Sequence, residues 1–185
     1  MYFGVGPGWV TSETEIVGKH SKRTSRDLSY HHMAPSEIRL YLGNSIWRNS
    51  IRIANIRNPW DQFVSRVWWW ARQGRVELLD EGRLTRVDIE RNLEGWGRAR
   101  VETEILGVDA DLRATYIIKF EDLSSDLTHL LEFLGLPDSS AHLEHRNHAS
   151  RPSSTYDYRA LYTNKSRRMI SSIYEDWIEF GNYRF

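Results

Sequence analysis

The 185-residue chain contains no cysteine. That excludes a disulfide framework, a thiolate-held zinc or iron–sulfur centre and a cysteine nucleophile. Its apolar runs are only a few residues long, so neither a membrane-spanning helix nor the hydrophobic stretch of a signal peptide is expected, and the sequence predicts a soluble, cytoplasmic protein. Net charge is also lacking: 25 Lys plus Arg oppose 25 Asp plus Glu. A generally basic nucleic-acid binder is therefore not expected, although a local anion site is still possible. The histidines, His145 and His148 included, show no second ligand at metal spacing, so no metal is predicted. What remains is a chain of ordinary single-domain length, residues 1–185, able to bury roughly 70% of the surface its unfolded form exposes.

Neutrality is a cancellation between segments. Residues 1–76 carry 11 basic and 5 acidic side chains, residues 77–145 carry 7 and 16, and residues 146–185 carry 7 and 4. Arg outnumbers Lys 21 to 4. The guanidinium fork suits bidentate phosphate or sulfate recognition, while GC-rich coding explains the same bias without any function.

Residues 1–29, rich in Gly and polar side chains, read as an irregular lead segment. Pro35 to Leu42 reads as a short helix stopped by Gly43. Ser50 to Ile56 reads as a strand that passes through Arg57 and Asn58 into a helix from Pro59 to Gln73, with Asn58 as cap and Phe63, Val64, Val67, Trp68 and Ala71 as the apolar face. The acidic stretch from Glu77 to Glu104 predicts one or two helices broken near Gly95 and Gly97. Ala114 to Phe120 is a second strand, followed by a helix capped at Ser124 or Ser125 and ending at Leu134. His145 to Tyr158 is a polar loop, and Lys165 to Phe180 a last helix with Met169, Ile170, Ile173, Tyr174, Trp177 and Ile178 on one face. Strands that each lead into a helix predict an α/β domain with a parallel sheet.

The stretch Ile51 to Trp70 carries the most chemistry. A strand ending in Arg57 and turning through Asn58-Pro59 into a helix sets a guanidinium beside the positive end of the helix dipole, which suits a phosphate or sulfate. Ser65, about two turns into the helix, can offer a hydroxyl to the same anion. The alternative is that Arg57 pairs with Asp61 and Ser65 is an ordinary helix serine. Trp68, Trp69 and Trp70 suit an acceptor wall for a sugar ring, but the preferred reading is that Trp68 is core and one of the others is merely exposed.

Arg57-Asn58-Pro59-Trp60-Asp61 with Val64-Ser65 resembles the 3′-phosphate-binding motif of the sulfotransferases, whose donor is 3′-phosphoadenosine 5′-phosphosulfate. Tyr30 to Arg39 resembles the family's His-Met-x-x-x-Glu-Ile-Arg segment. Tyr116 to Leu123 with Phe133 to Pro137 is similar to its Arg-Tyr-Glu-Asp-Leu and Phe-Leu-Gly-Leu-Pro segments, and Phe180 to Phe185 to the Gly-Tyr-x-Phe close of carbohydrate-type and bacterial members. The resemblance runs from about Tyr30 to the last residue and implies a P-loop-NTPase-like sulfotransferase fold, a parallel sheet flanked by helices, with residues 75–112 as a variable helical insertion. It further implies Arg57 and Ser65 on the 3′-phosphate, Arg151 closing on the same group, and His32 as the base that deprotonates a hydroxyl or amine of a carbohydrate or small-molecule acceptor. Glu121 and Asp122 would form a structural strand-to-helix corner.

The family's opening strand and its Pro-Lys-x-Gly-Thr-Ser loop, which hold the 5′-phosphosulfate, have no counterpart in the sequence. Gly18-Lys19-His20-Ser21 does not substitute, because the earlier glycine of the P-loop pattern falls on Glu13. The pattern therefore predicts a sheet missing its first strand, an uncovered strand edge and a tendency to self-associate. It also leaves an alternative function, a truncated, non-catalytic nucleotide-binding remnant.

Overall fold

The computed structural model describes residues 34–80, 82–107, 109–136 and 157–185. Those residues form an α/β arrangement with a small parallel two-stranded sheet flanked by helices. Strands β1 (Ile53–Ile56) and β2 (Tyr116–Lys119) pair in register: the Tyr116 N–H donates to the Arg52 carbonyl at 3.0 Å and the Phe120 N–H to the Ile56 carbonyl at 2.8 Å. An advance of four residues on both chains is the signature of a parallel ladder. Both strands are shorter than the sequence pattern predicts. The lead segment 1–29 and the loop from 145 to 156 lie outside the described residues.

The chain divides into two compact units, one holding the described residues up to Asn55 together with Arg98–Ile118, the other Ile56–Gly97 with Lys119–Phe185. In the first unit, α1 (Pro35–Leu42) begins as expected, with Pro35 at its first position and the Glu37 carboxylate accepting the Ala34 N–H at 2.9 Å. Gly43, at φ +81°, turns the chain directly into a short helix, α2 (Asn44–Asn49), that the sequence pattern does not reveal. A single buried residue, Trp47, anchors α2, and its indole N–H donates to the Asp111 carbonyl at 2.7 Å. Helix α5 (Arg100–Ile105) meets α1 through Glu104, which accepts from the Ser36 N–H and hydroxyl at 2.7 and 2.8 Å.

The second unit is built on α3 (Pro59–Arg72). Trp60, Phe63, Val64 and Val67 recur at helical spacing and are buried, each worth about 1.5–3 kcal/mol relative to exposure. Against α3 pack α4 (Arg86–Leu93), a 3₁₀ turn (Tyr158–Leu161) and α7 (Asn164–Ile173), and α8 (Glu175–Gly181) packs on α7. Helix α6 (Leu123–Phe133) follows β2. It begins earlier than a Ser124 or Ser125 cap implies; the Ser125 hydroxyl instead bonds back to the Asp122 carbonyl at 2.9 Å.

Two sequence expectations require correction here. Helix does not start at Glu77: the buried Asp88 carboxylate accepts from the Leu79 N–H at 3.1 Å and the Thr85 N–H at 2.8 Å, which ties both residues to the first turn of α4 and starts that helix at Arg86. The expected helix from Lys165 to Phe180 is two helices, because Tyr174 leaves helical geometry at φ −119° and ψ 33° while its buried ring packs 5.7 Å from Trp177. The apolar spacing continues across the break, so periodicity alone does not show it.

Candidate functional site

The candidate site lies wholly in the second unit, at the turn from β1 into α3. Asn58 caps the helix through its side-chain oxygen, which accepts the Trp60 N–H at 3.1 Å and the Asp61 N–H at 3.3 Å. Pro59 at the first position brings no N–H that needs a partner. The first amides of α3 are therefore already satisfied within the turn, and any anion there must be held mainly by side chains.

Two such side chains converge. The Arg57 guanidinium donates through Nη1 to the Ser65 hydroxyl oxygen at 3.4 Å, so residues eight apart in sequence share one flank of the helix. Its other edge is engaged by Asp61: Nε donates to Oδ2 at 2.7 Å, and Nη2 also reaches Oδ2. Beneath the guanidinium lies the Phe120 ring, with the Arg57 Cζ atom 4.3 Å from the ring centroid. The two charged side chains are only 20% and 14% exposed, so their interaction is less screened than that of a surface pair. The Arg–Asp pairing and the Arg–Ser convergence, alternatives at the level of sequence, thus coexist on opposite edges of one guanidinium.

The turn is also held from a distance. Glu121, just past β2, accepts the Asn58 N–H at 2.6 Å through Oε1 and the Tyr183 hydroxyl at 2.9 Å through Oε2. The Asn58 side-chain amide donates to the Tyr158 hydroxyl at 3.2 Å. Burial raises the Tyr158 phenol above the ordinary tyrosine range; the Arg159 charge opposes that rise, and Asp61 adds to it. Tyr183 is pushed up further, by burial and then by the Glu121 carboxylate. The Tyr162 hydroxyl, raised chiefly by burial, donates to the Trp60 carbonyl at 2.8 Å. All three phenols are thus neutral donors or acceptors at neutral pH, and the local charge is set by Arg57 and the carboxylates.

Of the residues picked out by sequence, Arg57 and Ser65 come together, whereas His32 and Arg151 lie outside the described residues. The tryptophan run divides. Trp70 packs against Trp96 at 5.4 Å, and Trp69 is exposed with the Arg75 guanidinium above its ring.

Comparison with protein-family models, curated proteins and solved structures finds no match to this chain. The functional reading therefore rests on the turn and its neighbours. Sequence reasoning did not identify Phe120, Tyr158 and Tyr183 as partners of this turn, because only the fold brings them to it. Among the described residues no group of three His, Asp or Glu side chains is arranged to hold a metal, and no helix is long and apolar enough to cross a membrane.

Proposed function

We propose that the Arg57 turn anchors the 3′-phosphate of a phosphosulfate nucleotide, and that the chain is a sulfotransferase of P-loop-like ancestry acting on a hydroxyl or amine of a carbohydrate or small molecule. The observation that carries this reading is the convergence of Arg57 Nη1 and Ser65 Oγ at 3.4 Å beside a capped helix start. A guanidinium edge and a hydroxyl on one flank suit a tetrahedral oxyanion, since both donate and neither repels it. Asp61, on the opposite edge, holds the guanidinium plane in place. Phe120 beneath it supports the same orientation.

In the reaction so assigned, the donor is 3′-phosphoadenosine 5′-phosphosulfate, a substrate rather than a resident cofactor. His32 accepts the acceptor's proton, the acceptor oxygen or nitrogen forms a bond to sulfur, and the bond from sulfur to the phosphate oxygen breaks. Adenosine 3′,5′-bisphosphate leaves, its 3′-phosphate held by Arg57 and Ser65, with Arg151 as a further cation on the same group. A second reading is a nucleotide-binding domain that holds the 3′-phosphate without turnover, since Arg57 and Ser65, the groups that converge at the turn, are anion-binding groups and neither is placed as a base.

Calorimetric titration with adenosine 3′,5′-bisphosphate, followed by a sulfate-transfer assay, separates the two. Transfer that disappears in His32→Ala supports the enzyme, and binding lost in Arg57→Ala without transfer to any acceptor supports the binding domain. Wild-type protein that takes up no bisphosphate overturns both.

A further inference from the structure

The residues after α8 turn back onto the candidate site. Asn182 adopts the left-handed conformation at φ 51°, which a short amide side chain tolerates, and the chain reverses there. Two contacts fix the returning segment: the Lys119 ammonium donates to the Gly181 carbonyl at 3.0 Å, and the Tyr183 N–H donates to the Ile178 carbonyl at 3.0 Å. The Tyr183 ring lies so close over Gly181 that a Cβ at that position would meet it at 2.2 Å. Only glycine lets the ring occupy this place.

From there the segment reaches Asn58 by two routes. The Tyr183 hydroxyl donates to Glu121, and the other oxygen of that carboxylate accepts the Asn58 N–H. Phe185 packs edge-on against Trp60 at 5.5 Å and against Tyr158 at 6.2 Å, and the Tyr158 hydroxyl accepts from the Asn58 side chain. The Arg167 guanidinium sits 5.2 Å from the centroid of the Phe185 ring.

We propose that residues 181–185 form a positioning strap for the anion-binding turn, with Tyr183 and Glu121 fixing the Asn58 backbone and Phe185 and Tyr158 its side chain. Asn58 is the residue between Arg57 and the helix that carries Ser65, so the strap sets the spacing of the two anion-binding groups. A carboxylate bridging a phenol and an amide loses its fixed direction when either donor leaves, and the amide then drifts with it. This inference rests on the phosphate-anchor reading of Arg57 and Ser65.

The test pairs an amide resonance with a titration on the full chain. In the wild type the Asn58 amide proton, held by a carboxylate at 2.6 Å, resonates at low field, and Glu121→Gln moves it upfield. Tyr183→Phe, which keeps the ring but removes the hydroxyl, and Gly181→Ala, which displaces the ring while keeping every bonding group, are expected to move it the same way. Both are expected to weaken adenosine 3′,5′-bisphosphate binding by about threefold to tenfold, the loss equivalent to one hydrogen bond, while Phe180→Tyr, at an exposed position outside the strap, retains wild-type affinity. An Asn58 resonance unmoved by Tyr183→Phe and Gly181→Ala, in a protein that binds the bisphosphate, overturns the strap alone. A resonance that moves without any change in affinity overturns it too. Wild-type protein that binds no bisphosphate overturns the phosphate-anchor reading beneath it, and the positioning role falls as well.

Discussion

Helices α3 and α4 start in contrasting ways within the same unit. Helix α4 starts on a box closed within four residues: the Thr85 hydroxyl and N–H donate to Asp88 at 2.6 and 2.8 Å, and the Asp88 N–H returns to the Thr85 hydroxyl at 3.3 Å. Helix α3 starts on Asn58, whose N–H and side-chain amide are held by Glu121 and Tyr158, 63 and 100 residues away. The box is built from near neighbours and reaches beyond them only through the Leu79 N–H, which also donates to Asp88. A cap tied to distant residues makes the geometry of one turn depend on several elements, and that is the turn where Arg57 meets Ser65. Long-range support is what a binding group needs if its donors are to be preorganised, whereas a merely structural cap has no such need.

That contrast can be broken at either end. The largest stability effect belongs to the local box. Asp88→Ala removes three hydrogen bonds, from the Leu79 and Thr85 N–H groups and the Thr85 hydroxyl, and is expected to cost about 3 kcal/mol in denaturant unfolding, with bisphosphate affinity per folded molecule unchanged. A comparable loss of affinity would erase the distinction between the two starts. Asn58→Ala is expected to cost about 1–2 kcal/mol of stability, as lost caps do, and in addition to weaken bisphosphate binding, because the tie to Tyr158 is lost and only the backbone hold by Glu121 remains.

A smaller effect of opposite sign is expected at Asp61. Asp61→Asn removes the charge that competes for Arg57 while leaving an oxygen to orient it, so bisphosphate binding tightens by about twofold to fivefold, the range of a weak ion pair. Unchanged or weaker binding would mean that the Asp61 charge does not compete with the phosphate for Arg57.

The smallest effect at neutral pH is electrostatic. Tyr158, Tyr162 and Tyr183 all have phenols raised above the ordinary tyrosine value. The folded state therefore holds these protons more tightly than the unfolded state. Their contribution is fully present below about pH 10, the unfolded value, and is lost as pH rises beyond it. Denaturant unfolding at neutral pH and at about pH 11 checks the sign, and Tyr162→Phe should flatten the alkaline fall.

Much of α3 was legible in the sequence because its determinants are local. Asn58-Pro59 is a cap followed by a first-turn proline, Phe63, Val64 and Val67 keep helical spacing, and an offset of eight residues returns Ser65 to the flank of Arg57. The sequence also offered Asp61 as a rival partner of Arg57, and the structure shows both partners on separate edges. What supports the turn was not legible. Glu121, Tyr158, Tyr183 and Phe185 reach it only through the fold, and no spacing rule links residue 58 to residues 121, 158 or 183. The break at Tyr174 was hidden for a different reason, since apolar periodicity records which face is buried and not whether the backbone stays helical across it.

The central claim is that Arg57 and Ser65 hold a 3′-phosphate, and it is tested most directly by comparing affinities for adenosine 3′,5′-bisphosphate and adenosine 5′-phosphate in wild type and in Arg57→Ala. The account predicts that the wild type prefers the bisphosphate by about tenfold or more, as charge-assisted hydrogen bonds to one phosphate allow, and that the preference disappears in Arg57→Ala. Equal affinities in the wild type, or a preference that survives the substitution, would contradict it.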